Sequence, residues 1–122
     1  MARIRPLRGY RYDLPRLGDA GLLLAPPYDV VDEAGRARIA ARSPHNCIHV
    51  ILPEGTGDAK YPEGARRFAA LEQEALVRDG APSFYVYHQT FSSEGKQFPR
   101  KGFIGLVELT RFGAGPVLPH ER

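Results

Sequence analysis

Apolar and polar positions along this chain of 122 residues change period from one segment to the next. Residues 8–12 alternate over a short span and predict a first strand. Pro6 and Pro15 bracket that span, because neither can donate to a ladder. After the turn signal Gly18-Asp19, residues 22–25 (Leu-Leu-Leu-Ala) form a continuous apolar run, read as a buried second strand. Pro26 and Pro27 end it by removing two backbone donors. Asp32 is placed to cap a helix over 33–42, whose thin apolar face is Ile39 and alanines, and Ser43-Pro44 stops it. Residues 47–52 (Cys-Ile-His-Val-Ile-Leu) are apolar and β-branched and predict a central strand. A Gly-rich connection over 53–59 leads to a second helix over 61–79. Phe68, Leu71, Ala75 and Leu76 recur on it at helical spacing, and Gly80 follows as a left-handed cap.

The clearest pattern comes last. Residues 84–91 and 102–109 are strongly β-prone, and Ser92-Ser93-Glu94-Gly95-Lys96 between them is turn chemistry, which predicts an antiparallel C-terminal hairpin. The expected order is β-β-α-β-α-β-β. It describes an α+β fold with a mixed, mainly antiparallel sheet and two helices, in a single domain over 1–122.

Composition narrows the class without naming a function. Hydrophobic residues are 43% and charged residues 25%, ordinary values for a globular chain long enough to bury one core. Net charge is only +3, and the positive residues are mostly arginine, suited to phosphate and carboxylate but equally a genomic bias. The one cysteine, Cys47, cannot form an internal disulfide or a cysteine-based metal site, and its apolar neighbours suggest an inert buried thiol. No run approaches the ~18 apolar residues of a membrane span. The N-terminus lacks the apolar segment of a secretory signal, so a cytoplasmic protein with no membrane partner is expected.

Several constellations could carry chemistry. After the double proline, Tyr28 and Asp29 offer a hydroxyl and a carboxylate at a strand end, where rigid scaffolds commonly place ligand groups. A plain turn or helix cap is the simpler account of Asp29, and the residues alone favour it. His45 and Asn46 follow a turn and could meet a ligand, whereas His49 and His88 on strands read as structural. Residues 55–60 (Gly-Thr-Gly-Asp-Ala-Lys) suggest a phosphate loop but fail its pattern: Lys60 has no Gly before it and Tyr61 after it. A flexible connection fits better, although its amides could still meet an anion. The arginines at 3, 5, 8 and 11, interleaved with Tyr10 and Tyr12, could hold nucleic acid. Asp13, Asp19 and the modest charge argue against that. The final residues bring together His120, a proton carrier near neutral pH, Glu121, a base or metal ligand, and Arg122, an anion clamp.

Read in order, Arg8-Gly9-Tyr10-Arg11-Tyr12, Ala25-Pro26-Pro27-Tyr28-Asp29-Val30, Ser43-Pro44-His45-Asn46, Ile51-Leu52-Pro53, Tyr85-Val86-Tyr87, Arg100-Lys101-Gly102-Phe103-Ile104-Gly105-Leu106 and Leu118-Pro119-His120-Glu121-Arg122 resemble the conserved family catalogued as domain of unknown function 1015. Its members are much longer. The resemblance therefore implies an N-terminal fragment whose site is completed by residues beyond Arg122. It also implies a small-molecule phosphotransferase, with free L-serine as substrate, ATP or ADP as donor and Mg2+ as the accompanying ion. At the motif positions, phosphoryl-transfer chemistry gives Asp29, His120 and Glu121 as catalytic candidates. Tyr28, Asn46 and Arg122 are candidates for substrate or phosphate binding. His45 departs from the family pattern, where Tyr is commoner. The alternative is a non-catalytic binding module for nucleic acid or a protein partner.

Overall fold

Short polar caps and one buried amide, more than long periodic segments, decide where the elements of this chain fall. The computed structural model describes residues 1–111 and 113–118. In chain order they form β1 (Ile4–Arg5), β2 (Tyr10–Tyr12), α1 (Leu14–Leu17), α2 (Glu33–Ala40), α3 (Ile48–Ile51), α4 (Lys60–Glu74), β3 (Leu76–Arg78), β4 (Tyr85–Ser93), β5 (Lys96–Ile104) and β6 (Leu106–Val107). Single 3-10 turns lie at Ala20–Leu22, Tyr28–Val30 and Gly57–Ala59. The class is α+β with antiparallel pairing and a C-terminal hairpin, as expected. Among the described residues the strands pair as three two-stranded ladders: β1 with β6, β2 with β3, and β4 with β5. The backbone groups into two compact units, one of residues 10–78 and one of residues 1–9 with those from 79 onward.

The 10–78 unit holds the core. Leu23, Ile39, Ile48, Leu71 and Ala75 are all buried, as is the polar side chain of Asn46. Helix α2 begins as predicted, with Asp32 Oδ1 accepting from Gly35 N at 2.6 Å. It is tied down by Arg36, whose Nε donates to Leu52 O at 2.7 Å. Helix α4 is shorter than expected. It stops at Glu74, and the predicted tail becomes β3, which pairs Leu76 with Tyr12 and Arg78 with Tyr10. Tyr10 then packs edge-on against Phe68 of α4, with centroids 6.1 Å apart.

Two predicted strands are corrected, and one residue explains both. Residues 22–25 form no ladder. Asp19 Oδ1 accepts from Gly21 N at 2.7 Å and starts a 3-10 turn, which places Leu23 in the core. The carbonyls of Leu22 and Leu24 accept from Asn46 Nδ2 at 2.8 and 3.1 Å, and Leu23 O accepts from Cys47 N at 2.8 Å. Residues 47–52 form the short helix α3 instead of a central strand. Asn46 Oδ1 accepts from Ile48 N at 2.9 Å and bends the chain there. Val50 N and Ile51 N then both donate to Cys47 O. β-branched propensity yields because it reflects fit to a pleated surface, and among the described residues no strand pairs with this segment. The expected two helices become four, since α1 and α3 are single turns.

In the other unit, Leu7 exchanges both backbone bonds with Ser83, and β1 pairs Ile4 with Val107. Tyr85 hydroxyl accepts from Gly9 N at 2.8 Å and donates to the Asp79 carboxylate. Strands β4 and β5 pair from Tyr85–Ile104 to Ser93–Lys96. None of its described residues is buried.

Replacing Asn46 with Leu keeps the volume but orphans the Ile48 amide and the carbonyls it holds. A buried polar group left unpaired costs about 1–3 kcal/mol, so Asn46→Leu is expected to lose on the order of 3 kcal/mol in urea unfolding, at unchanged m value. A loss below about 0.5 kcal/mol would show that the clamp is dispensable.

Candidate functional site

The first turns of α4 pack against α3 and the Leu52-Pro53 segment, and the seam between them opens into a cleft of about 590 Å3. Gly64 makes the approach possible: a Cβ there would stand 3.2 Å from Pro53 Cγ, tighter than most real contacts. The floor is apolar, from Ile51, Leu52, Ala65 and Phe68. Tyr28 and Tyr61 stand at its edge, 59% and 65% exposed, and supply flat faces and hydroxyls. Lys60, the first residue of α4, is the ionisable cation of the lining. Its ammonium lies 5.3 Å from the Tyr61 ring centroid. No acidic side chain lines this cleft.

The predicted site residues meet different fates. Tyr28 lines the cleft, and Asp29 is the exposed middle residue of the same 3-10 turn, Tyr28–Val30. Asn46 is 0% exposed, and its amide is committed on both sides to backbone groups of the fold. His120, Glu121 and Arg122 lie outside the described residues. His45 is partly buried, with Nε2 3.3 Å from Glu74 Oε2, while its carbonyl accepts from the Tyr12 hydroxyl at 2.8 Å. His49 Nε2 lies 3.2 Å from Ser43 O and so carries the proton. His88 sits on the exposed hairpin. Among the N-terminal arginines, Arg3 pairs with Glu108 at 3.6 Å and Arg8 Nε donates to Asp79 O at 3.0 Å. Among the described residues no group of three His, Cys, Asp or Glu is placed to hold a metal. None of their helices is long and apolar enough to cross a membrane.

A family model described as a protein of unknown function (DUF1015) matches residues 4–122. The chain belongs to the DUF1015 family. No curated protein and no solved structure matches it. The segments that carry the family resemblance thus include Tyr28 at the cleft edge and Ile51 and Leu52 on its floor, with Asp29 next to Tyr28 in the chain.

Sequence reasoning missed Lys60, Tyr61 and Phe68 as site residues. Their signal was present: Tyr61 and Phe68 are seven apart, which places them on one face of a helix, beside a cation at its start. Testing the Gly-rich segment only against the phosphate-loop spacing hid it.

One turn beyond the cleft mouth, Glu63 accepts from both Arg66 (2.9 and 2.7 Å) and Arg67 (2.8 Å). These hydrogen bonds hold its carboxyl at about 2, below the ordinary 4.5. A carboxyl held down in the folded chain stabilises it above its unfolded value, and that contribution fades as pH falls from about 4.5 toward 2. Arg66 is well exposed and Glu63 and Arg67 are partly so, which keeps the effect small and salt-sensitive. Glu63→Gln in the DUF1015 protein is therefore expected to show a shallower fall of melting temperature across that acid range than the wild type. Superimposable profiles would remove the assigned role.

Proposed function

We propose that this protein is a small-molecule phosphotransferase whose cleft on α3 and α4 takes the nucleotide donor. One observation carries the reading: an apolar, tyrosine-edged cleft has Lys60 as its ionisable cation, and Asp29 belongs to the same turn as Tyr28. A nucleotide needs both parts, a dry surface for the base and positive charge for the phosphates. The residues present fit such a donor. Ile51, Leu52 and Phe68 suit the base, the tyrosine rings suit stacking, and Lys60 suits phosphate oxygens. Mg2+ is usually bound through phosphate oxygens and one or two carboxylates, and Asp29 is the carboxylate on that turn. When bound, the ion would neutralise phosphate charge. Free L-serine is the acceptor suggested by the family resemblance. Asp29 would orient or deprotonate its hydroxyl, and His120, Glu121 and Arg122 are the further candidates for base and phosphate contacts.

Phosphoryl transfer asks a protein mainly for placement and electrostatics, and a cleft with a lysine in its lining and a carboxylate on the turn that carries Tyr28 suits that need. The test is a direct binding measurement with ADP and ATP, with and without Mg2+, followed by transfer assays against a panel of amino acids and sugars. Lys60→Ala should weaken nucleotide binding about tenfold or more, the value of one charge-assisted bond, with an unchanged circular dichroism spectrum. Asp29→Asn should cut turnover on the order of a hundredfold while leaving metal-free nucleotide affinity near wild type. Failure to bind either nucleotide at millimolar concentration, with no phosphorylated product from any acceptor, would sink the proposal.

A further inference from the structure

Among the described residues the β4–β5 hairpin is unpaired on both edges, but its two edges differ in kind. The connecting residues Glu94 and Gly95 have φ of +51° and +74°, the two-residue turn whose twist matches paired strands. In such a hairpin the flanking pair, here Ser93 and Lys96, exchanges both backbone bonds, and bonded and unbonded pairs then alternate. Val86, His88, Thr90 and Ser92 therefore turn their N–H and C=O groups away from β5. Pro99 supports this phase independently. It faces Thr90, at a position where the ladder needs no donor from β5.

The same proline blunts the outer edge of β5, and Lys96, Arg100 and Lys101 add charge to it. Proline and lysine are the usual guards of an exposed edge. Strand β4 has neither: Tyr85–Ser93 contains no proline and no Asp, Glu, Lys or Arg. Among the described residues no strand pairs with its outer side and no other backbone bond reaches it. Val86 is 70% exposed, Tyr87 43% and Phe91 39%.

We propose that the outer edge of β4 is an interface between two copies of this chain, joined antiparallel about Gln89. The pairing is self-complementary. In the register centred on Gln89, His88 faces Thr90 and Val86 faces Ser92, so each outward-turned residue meets another and every open donor finds an acceptor. Tyr87 falls opposite Phe91 twice, on the face that already stacks Phe91 on Phe98 at 5.6 Å. No like charges meet, and all nine residues of the strand are used. The result is a four-stranded sheet with a two-fold axis and the guarded β5 edges outermost. A second copy is the occupant because the edge is uncharged and matches itself. A charged partner strand would find no counter-charge on β4.

The test is sedimentation equilibrium of the protein from about 1 to 200 μM, with a mass approaching two chains expected. Thr90→Lys adds a charge to the edge, and Thr90→Pro removes an outward N–H without taking a bond from the hairpin; each should weaken association at least about tenfold. Location is read by oxidation in a Cys47→Ala background. Gln89→Cys sits on the two-fold axis in an unbonded pair, whose Cα atoms are about 4.5 Å apart, and should cross-link readily. Gln97→Cys on β5 should not. A wild type that stays monomeric at the highest concentration overturns the proposal. So does a dimer that survives Thr90→Lys, or equal cross-linking at 89 and 97.

Discussion

Three successive carbonyls, those of Leu22, Leu23 and Leu24, belong to neither a helix ladder nor a sheet, and all three are taken by Asn46 and its neighbour. The same side chain accepts the Ile48 amide. Only a primary amide of this length does both. Aspartate would turn a carboxylate toward two carbonyl oxygens, and glutamine would place the group one carbon too far. The Ile48 amide is buried, and leaving such a group unpaired costs about 1–3 kcal/mol against a total stability of about 5–15 kcal/mol, so this bond alone is a sizeable share of what keeps the unit folded. The clamp also brings Leu23 and Ile48, the least exposed apolar side chains with Ala75, into the same core.

The cleft follows from that clamp. Because Asn46 bends the chain into α3, the apolar residues after it present Ile51 and Leu52 to α4, where a strand would have sent alternate residues to opposite faces. Gly64 then lets α4 approach, and Lys60 arrives at the rim because the helix starts there. The Tyr12 hydroxyl, donating to His45 O, holds the far side of the same loop. Burial pushes that phenol up to about 12, so it remains a donor through the whole neutral range. A polar network that serves packing thus fixes the geometry on which any ligand chemistry would rest.

Legibility in the sequence tracked how local each determinant is. The hairpin was readable because its alternation and its turn lie within one segment. The start of α2 was readable because Asp32 caps it three residues away. Leu71 revealed the core-facing side of α4, whereas Phe68, expected on the same core face, is 40% exposed and floors the cleft. The runs at 22–25 and 47–52 were not readable: short apolar stretches carry no period that separates strand from buried helix, and the deciding bonds span 22–24 positions. The site divides in the same way. Tyr28 and Asp29 stood out beside two prolines, whereas Asn46 looked like a ligand group and turned out to be spent on the backbone. The cleft itself is a product of packing between distant segments, and no local pattern encodes it.

The unit built from the chain's start and its hairpin has no buried residue among those described, so it cannot be stabilised in the way the helical unit is. Its order comes from polar ties. Tyr85 hydroxyl uses both directions of its hydrogen bonding on Gly9 and Asp79, and Leu7 locks onto Ser83. These ties fix the base of the hairpin and leave its strands in water, with Val86, Phe103 and Ile104 more than half exposed. A lone two-stranded ribbon is marginal, and covering apolar area at about 25 cal/mol per Å2 is what would stabilise it. Guards fall on β5 and not on β4. If exposure to solvent were the final state of both edges, both would need guarding. The asymmetry therefore separates the two edges by use, one meant for water and one for another strand.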